Sequence, residues 1–219
     1  MIGLLGGTFD PIHYGHLRPA HEVYRRLGLA SLRLVPAATP PHRRAPVATP
    51  EQRLRMVELA VAEFPGLSAD DREIRRGGVS YTVPTLESVR VEIGAEPLCL
   101  VVGSDAFAGL STWHRWERLF ELAHIVVMER PGSPLAAARV LPWALERVSH
   151  DVGEIAEHPA GRVLFVPVMP VDVAATRLRA AIRRGETPSR DELPAPVWAY
   201  ISTHDVYRSP SHDSTSAAT

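Results

Sequence analysis

The chain begins with a short apolar run that glycines interrupt, and an amphipathic segment follows. Met1 to Leu5 are apolar, Gly6-Gly7-Thr8 ends the run, and Asp10-Pro11 is a second turn signal. From His16 apolar side chains recur at helical spacing, on the face formed by Leu17, Ala20, Val23, Tyr24 and Leu27. The pattern predicts a buried strand, a glycine turn and a helix.

Apolar runs and amphipathic segments continue to alternate along the chain. Buried strands are predicted at 32–36, 98–102, 124–128 and 162–168. Helices are predicted at 49–64, 82–93, 176–185 and 194–204. This alternation predicts an α/β fold, a Rossmann-like doubly wound parallel sheet with helices on both faces. We expect one domain over 1–208 and a disordered, serine- and threonine-rich tail over 209–219.

Some segments carry a weaker pattern. We expect residues 135–149 to be helical, with a break at Pro142, and residues 151–161 to form a loop. We expect the acidic stretch 70–73 to form an edge whose side chains are exposed to solvent. On the helix that Thr49 caps, we expect solvated arginines at 53 and 55 and a buried stripe of Leu54, Val57, Ala60 and Val61.

The composition of the chain excludes several classes of function and kinds of binding site. The 219 residues carry a net charge of −1, so the overall electrostatic field of the protein does not favour binding to nucleic acid or to a membrane surface. A single cysteine, Cys99, excludes a disulfide framework and is expected to be buried and inert. Neither a signal-peptide pattern nor an 18-residue apolar stretch occurs, so we expect a cytoplasmic protein. All 24 basic residues are arginine, which excludes a P-loop lysine and requires phosphate to be held by arginine, histidine and backbone N–H groups.

Two histidines stand where the first helix is predicted to begin. The first N–H groups of a helix lack partners and carry the positive end of the helix dipole, so a phosphate is stabilised there. Gly6, Gly7 and Gly15 let a ligand approach the backbone closely. His13 and His16 are three residues apart and share a helix face. The segment therefore predicts a phosphate cradle with two imidazole donors.

This segment resembles a known family. The run Gly6 to His16, GGTFDPIHYGH, is similar to the signature of the (H/T)xGH nucleotidyltransferase superfamily, and most of all to that of bacterial nicotinate-mononucleotide adenylyltransferases. The resemblance extends from Gly3 to Arg208 and is diffuse over 135–165. It implies adenylyl transfer from ATP to nicotinate mononucleotide in NAD biosynthesis, with His13 and His16 as the catalytic residues.

The resemblance also implies an ATP site. Pro41-His42-Arg43 is similar to the family's proline-histidine-basic motif, and Gly103-Ser104-Asp105 follows a buried strand, at whose carboxyl end ligands bind. Mg²⁺ is expected to accompany ATP. The residues implied for ATP and phosphate are Gly6, Gly7, Thr8, Phe9, His42, Arg43, Gly103, Asp105, Arg130, Thr176 and Arg179.

A second helix N-terminus suits the acceptor. The segment Ser80 to Leu86 is similar to the family segment that holds the nicotinate ring, and Thr82 is a plausible N-cap. Free N–H groups favour a carboxylate over a neutral carboxamide, so the acid mononucleotide is the expected acceptor. The residues implied for nicotinate mononucleotide are Tyr81, Thr82, Thr85 and Trp113.

One departure from the family pattern leaves alternatives open. Ala174 and Ala175 replace the two serines of the family's Ile-Ser-Ser-Thr-x-Ile-Arg motif, so two hydroxyl donors are lost while Thr176 and Arg179 remain. The alternatives are transfer to another phosphate acceptor, such as phosphopantetheine or a sugar alcohol phosphate, and a non-catalytic nucleotide-binding regulator. The sequence leaves open whether the chain forms a homo-oligomer.

Overall fold

A computed structural model describes residues 1–41, 45–129 and 141–208. The predictions for His42, Arg43, Arg130, the first part of 135–149 and the tail 209–219 lie outside these residues. The strands are β1 (Ile2–Gly7), β2 (Ser31–Pro36), β3 (Leu67–Ala69), β4 (Leu98–Gly103), β5 (His124–Glu129), β6 (Val148–Ser149) and β7 (Val163–Pro167). The longer helices are α1 (Tyr14–Leu27), α2 (Pro50–Val61), α4 (Thr82–Ile93), α9 (Ala175–Arg183) and α10 (Ala195–Thr203). The shorter helices are α3 (Arg72–Arg76), α5 (Ser104–Ala108), α6 (Leu119–Leu122), α7 (Pro142–Leu145) and α8 (Val152–Glu157).

The seven strands form one parallel sheet in the order β3-β2-β1-β4-β5-β7-β6. This confirms the predicted Rossmann-like doubly wound fold. The order runs in opposite directions on either side of the β1–β4 pair, where Leu5 lies beside Val101. Ligands of open α/β sheets bind outside the carboxyl ends of the strands at such a switch point.

Two hydrophobic cores cover the two faces of the sheet. Along β4, Leu98, Leu100 and Val102 face one core, while Cys99 and Val101 face the other, so this strand is buried on both sides. Side chains of α1, α2, α9 and α10 fill the first core, and those of α4 to α7 fill the second. Cys99 is buried as predicted, and this burial raises the pKa of its thiol to about 12.

Local signals set two of the helix ends, and the cap at Thr49 is as predicted. Gly28 ends α1 in the left-handed conformation, with φ 59°, which glycine adopts without steric cost. A capping box starts α2, in which the Gln52 N–H donates to Thr49 Oγ1 and the Thr49 N–H donates to Gln52 Oε1. None of the helices in the described residues combines the length and apolar character needed to cross a bilayer.

Three weaker predictions are wrong in part. Residues 142–145 are helical and their helix starts at Pro142, but residues 148–149 form a strand. Residues 152–157 form a helix whose start Asp151 caps through Gly153 N–H. Asp70 and Glu73 are buried rather than solvated. Burial alone would raise the pKa of Asp70, but hydrogen bonds from Arg72 lower it overall.

The buried stripe of α2 also differs from the prediction. Val57 and Ala60 are buried as expected, but Leu54 and Val61 are only half-buried. The stripe is Arg53, Met56, Val57 and Ala60, at the spacing i, i+3, i+4, i+7. Arg53 is fully buried, while Arg55 is exposed as predicted. A charged side chain thus occupies a core position of this helix.

Candidate active site

The carboxyl ends of β1 and β4 are open. A Cβ added at Gly6 or at Gly103 would meet no atom within 4 Å. A Cβ at Gly7 would meet the Phe9 ring at 2.7 Å, so this ring packs directly on the glycine turn. Phe9 itself has φ 50°, a conformation that non-glycine residues rarely adopt. The predicted glycines therefore border the crevice at the switch point.

The two predicted catalytic histidines lie together beside this turn. His13 is the N-cap of α1, and its carbonyl accepts from the N–H groups of His16 and Leu17. The two imidazole centroids are 3.8 Å apart with an interplanar angle of 31°. The Phe9 and His16 rings make an edge contact at 5.3 Å. Phe9 thus connects the glycine turn to the histidine pair.

Gly15 lets the His13 ring pack against α1. A Cβ at position 15 would lie 2.8 Å from Cε1 and Nδ1 of His13 and 3.0 Å from the Val173 carbonyl oxygen. The same small residue therefore brings the chain that enters α9 close to the histidines. One N–H group of the predicted cradle is already used, because the Tyr14 N–H donates to the Glu192 carbonyl.

The residues predicted on α9 lie against the same turn. Arg179 Nη1 donates to the Asp10 carbonyl at 2.6 Å, and its Nη2 donates to Thr176 Oγ1 at 3.3 Å. Thr176 is exposed in the first turn of α9. Ala174 is the N-cap of this helix and provides no side-chain cap, as the loss of the family's serines predicts. Backbone N–H groups and Arg179 remain as anion donors here.

Asp10 and Tyr207 form a second, unpredicted layer behind the turn. The carboxylate of Asp10 accepts hydrogen bonds from the N–H groups of Val47 and Ala48 and from the hydroxyl of Tyr207, at 2.9, 3.0 and 2.8 Å. Burial, together with the nearby Asp10 carboxylate, raises the pKa of the Tyr207 hydroxyl far above its ordinary value. The sequence identified Asp10 only as part of a turn signal, and Tyr207 is packed in the core.

The predicted acceptor residues gather around the start of α4. Tyr81 is the N-cap of this helix, and its ring lies 4.5 Å from the ring of His114, next to Trp113. Trp113 is half-buried and packs against the second core, as does Trp116. Thr82 is the first residue of the helix and not its cap, since no side chain caps α4.

Thr85 is buried, and its hydroxyl is already bonded within the protein. It donates to Glu73 Oε1 at 2.6 Å and accepts from Arg76 at 3.1 Å. Burial raises the pKa of Glu73. Sequence reasoning missed Glu73, because the adjacent acidic and basic residues looked like a solvated edge. The Thr85 side chain therefore shapes the first turn of α4.

Gly103 and Asp105 lie at the end of β4. Gly103 is the N-cap of α5, and Asp105 is exposed in its first turn. Ser104 Oγ donates to the Met128 carbonyl and so ties the end of β4 to the end of β5. Within residues 1–41, 45–129 and 141–208, no three His, Cys, Asp or Glu side chains gather as a potential metal site.

Comparisons with known proteins agree with this geometry. Residues 4–187 match the family model described as cytidylyltransferase-like. A probable nicotinate-nucleotide adenylyltransferase of Halorhodospira halophila is 51% identical over 187 residues, covering 85% of this chain and 86% of the relative. One of Methylococcus capsulatus is 48% identical over 209 residues, covering 94% and 99%. The fold is similar to that of Plasmodium falciparum nicotinic acid mononucleotide adenylyltransferase complexed with NaAD, with a TM-score of 0.70 at 14% identity, over 94% of this chain and 96% of that one.

Proposed function

The chain belongs to the cytidylyltransferase-like family, and we propose that it transfers the adenylyl group of ATP to nicotinate mononucleotide. The products are nicotinate adenine dinucleotide and pyrophosphate. The observation that carries the proposal is the close pair of imidazoles, His13 and His16, beside an open glycine turn at the switch point of the sheet. The curated relatives that bear this activity in their names support the choice of substrates.

The reaction needs alignment more than it needs a base. A phosphate oxygen of the mononucleotide attacks the α-phosphorus of ATP, a new P–O bond forms, and the bond to the β-phosphate oxygen breaks. The attacking phosphate has a second pKa of about 6, so it is largely dianionic at neutral pH. The protein must hold the two nucleotides in line and offset negative charge on the phosphoryl oxygens. His13 and His16 are the proposed donors to the α-phosphate oxygens.

The leaving pyrophosphate is proposed to lie at the start of α9. Arg179 and Thr176 stand there, and the first N–H groups of the helix carry its positive end. We also assign His42, Arg43 and Arg130 to the phosphates, from the resemblance alone. Gly6, Gly7, Thr8, Phe9, Gly103 and Asp105 complete the proposed ATP site.

A divalent cation, which we propose to be Mg²⁺, accompanies ATP. We propose that the ion is held by phosphate and water oxygens rather than by a cage of protein ligands. When bound, the ion supplies positive charge that offsets the charge of the leaving pyrophosphate. Asp105, exposed at the end of β4, is the carboxylate that would reach the phosphates through the ion or its waters.

The acceptor is proposed to bind at the start of α4, near Tyr81, Thr82, Thr85 and Trp113. This helix start offers the N–H groups of Thr82 and Val83, since Pro84 has none. Two N–H groups at a positive helix end stabilise a carboxylate more than a neutral carboxamide. The acid mononucleotide is therefore the preferred acceptor, and Trp113 offers a flat surface for its ring.

Pyrophosphate release tests the proposal. ATP is supplied with nicotinate mononucleotide, nicotinamide mononucleotide or phosphopantetheine, and the rate is followed for each acceptor. We expect the largest kcat/KM with the acid mononucleotide. Equal rates with the acid and the amide would refute the role of the Thr82 and Val83 N–H groups. If pyrophosphate is released with phosphopantetheine and with neither mononucleotide, phosphopantetheine is the acceptor. If the protein binds ATP but releases no pyrophosphate with any acceptor, it is a nucleotide-binding regulator.

A further inference from the structure

Arg53 is a fully buried charge on a helix face that is otherwise apolar. It shares the buried stripe of α2 with Met56, Val57 and Ala60. Burying a guanidinium costs free energy unless its N–H groups are paired, and an apolar side chain would fill such a position at least as stably. Burial accordingly lowers the pKa of Arg53. The side chain therefore needs an explanation beyond packing.

Its three nitrogens hold three separate segments of backbone. Nη1 donates to the Thr8 carbonyl at 2.8 Å, Nη2 to the Ala38 carbonyl at 3.1 Å, and Nε to the Ala48 carbonyl at 3.3 Å. These carbonyls belong to the turn after β1, the loop after β2 and the chain just before α2. The guanidinium is a rigid planar fork, so these bonds fix the three segments relative to one another.

Asp10 strengthens the same arrangement from the side of the glycine turn. Its carboxylate accepts from the N–H groups of Val47 and Ala48. The backbone around Ala48 is thus held at its N–H by Asp10 and at its carbonyl by Arg53. The turn that precedes His13 is therefore fixed to the start of α2 by two independent side chains.

Ala38 connects this arrangement to the acceptor side. Its N–H donates to Ser80 Oγ at 2.8 Å, while its carbonyl accepts from Arg53. The Ser80 N–H in turn donates to the Thr39 carbonyl at 2.9 Å. Ser80 immediately precedes Tyr81 at the start of α4. A continuous series of hydrogen bonds therefore runs from the glycine turn through Arg53 to the proposed acceptor segment.

We propose that Arg53 is a positioning residue that holds the donor-nucleotide turn, at Thr8, in fixed relation to the acceptor segment, at Ser80. The inference rests on the proposed function. Arg53 touches neither nucleotide in this role. It sets how well the attacking phosphate and the α-phosphorus line up, and such alignment acts on kcat more than on the binding of either nucleotide.

Arg53→Lys tests this, with Arg55→Lys as the matched control. Lysine keeps the charge, but its single nitrogen cannot occupy the places of three. Arg55 lies two residues away on the same helix, with an exposed side chain that pairs only with Glu58 in the described residues. We expect kcat per folded enzyme to fall about 10- to 100-fold in Arg53→Lys, with each KM changed less than about threefold. Arg55→Lys should match the wild type.

A purely structural Arg53 predicts a different result. Arg53→Lys would then give less folded protein and a lower Tm, but an unchanged kcat per folded molecule, and this would overturn the proposal. Hydrogen exchange gives a second measurement that needs no acceptor. Backbone N–H groups of residues 8–10, 38–39 and 47–48 should exchange faster in Arg53→Lys than in Arg55→Lys. Equal exchange would also overturn it.

An inactive wild type or an unfolded Arg53→Lys variant would each leave a different measurement to decide the proposal. If the wild type releases no pyrophosphate with nicotinate mononucleotide, the proposed function fails, and the exchange comparison alone decides whether Arg53 positions these segments. If Arg53→Lys does not fold, Ser80→Ala tests the same connection from its other end. We expect a kcat about three- to tenfold lower with little change in either KM. An unchanged kcat in Ser80→Ala would overturn the proposed connection.

Discussion

Replacing Gly15 with alanine places two physical effects in opposition. Glycine to alanine inside a helix normally stabilises a protein by about 1 kcal/mol, and Gly15 lies in the first turn of α1. Here, however, the new Cβ would stand 2.8 Å from two atoms of the His13 ring and 3.0 Å from the Val173 carbonyl oxygen. Unstrained carbon contacts lie at about 3.5–4.0 Å, so the ring must move by roughly 0.7 Å or more.

The size of this movement sets the expected effect. A misplacement of about 1 Å in a catalytic group costs on the order of 10²-fold in rate, so we expect Gly15→Ala to lower kcat about 10- to 100-fold. Overpacking costs about 1–3 kcal/mol, which cancels or exceeds the gain in helix propensity, so Tm should stay level or fall. The His13 ring cannot retreat freely, because its side chain is buried and the His16 ring lies 3.8 Å away.

Pyrophosphate release at saturating ATP and nicotinate mononucleotide gives kcat, and thermal unfolding gives Tm. Gly109→Ala is the matched control, since its Cβ would meet only the Asp105 and Ala106 carbonyls, at ordinary distances of 3.8 and 3.9 Å. A Gly15→Ala enzyme with a kcat within about twofold of the wild type and a raised Tm would refute the packing argument.

Three more predictions concern single side chains. His16→Ala should lower kcat by on the order of 10²-fold with the fold intact, and a normal kcat would remove the histidine pair from the site. Tyr207→Phe leaves a buried oxygen of Asp10 with one partner fewer and should cost about 1–3 kcal/mol of unfolding free energy, measured by urea denaturation, where an unchanged midpoint would contradict it. Burial raises the folded-state pKa of Glu73 above 4.5. The stability from this group is therefore complete below about pH 4.5 and lost as pH rises through the folded-state pKa. Glu73→Gln should therefore become more stable relative to the wild type as the pH rises from about 4 to about 8, as measured by the urea midpoints of the two proteins. A difference between the two midpoints that does not change with pH would contradict this prediction.

The sheet could be predicted because its signals are local. β4 is apolar at every residue before Gly103, since it is buried on both faces, and a glycine marks where the strand meets the crevice. The histidine pair and the glycine turn are likewise close in sequence. Their proximity in the structure follows from one strand, one turn and the first turn of α1.

The layer behind the site could not be predicted in the same way. Arg53 falls on the i, i+3, i+4, i+7 stripe, and that spacing alone signals burial, but its charge favoured a solvated position. Its partners at Thr8, Ala38 and Ala48 are backbone carbonyls, which every residue possesses, so no residue type reveals them. The buried Glu73 depends on the hydroxyl of Thr85, on another helix.

The hydrogen bond between Tyr207 and Asp10 joins residues 197 positions apart. During synthesis the turn with the two histidines is made well before Tyr207, whose hydroxyl supports it. The nascent chain therefore holds this turn without one of its supporting hydrogen bonds until Tyr207 has been made.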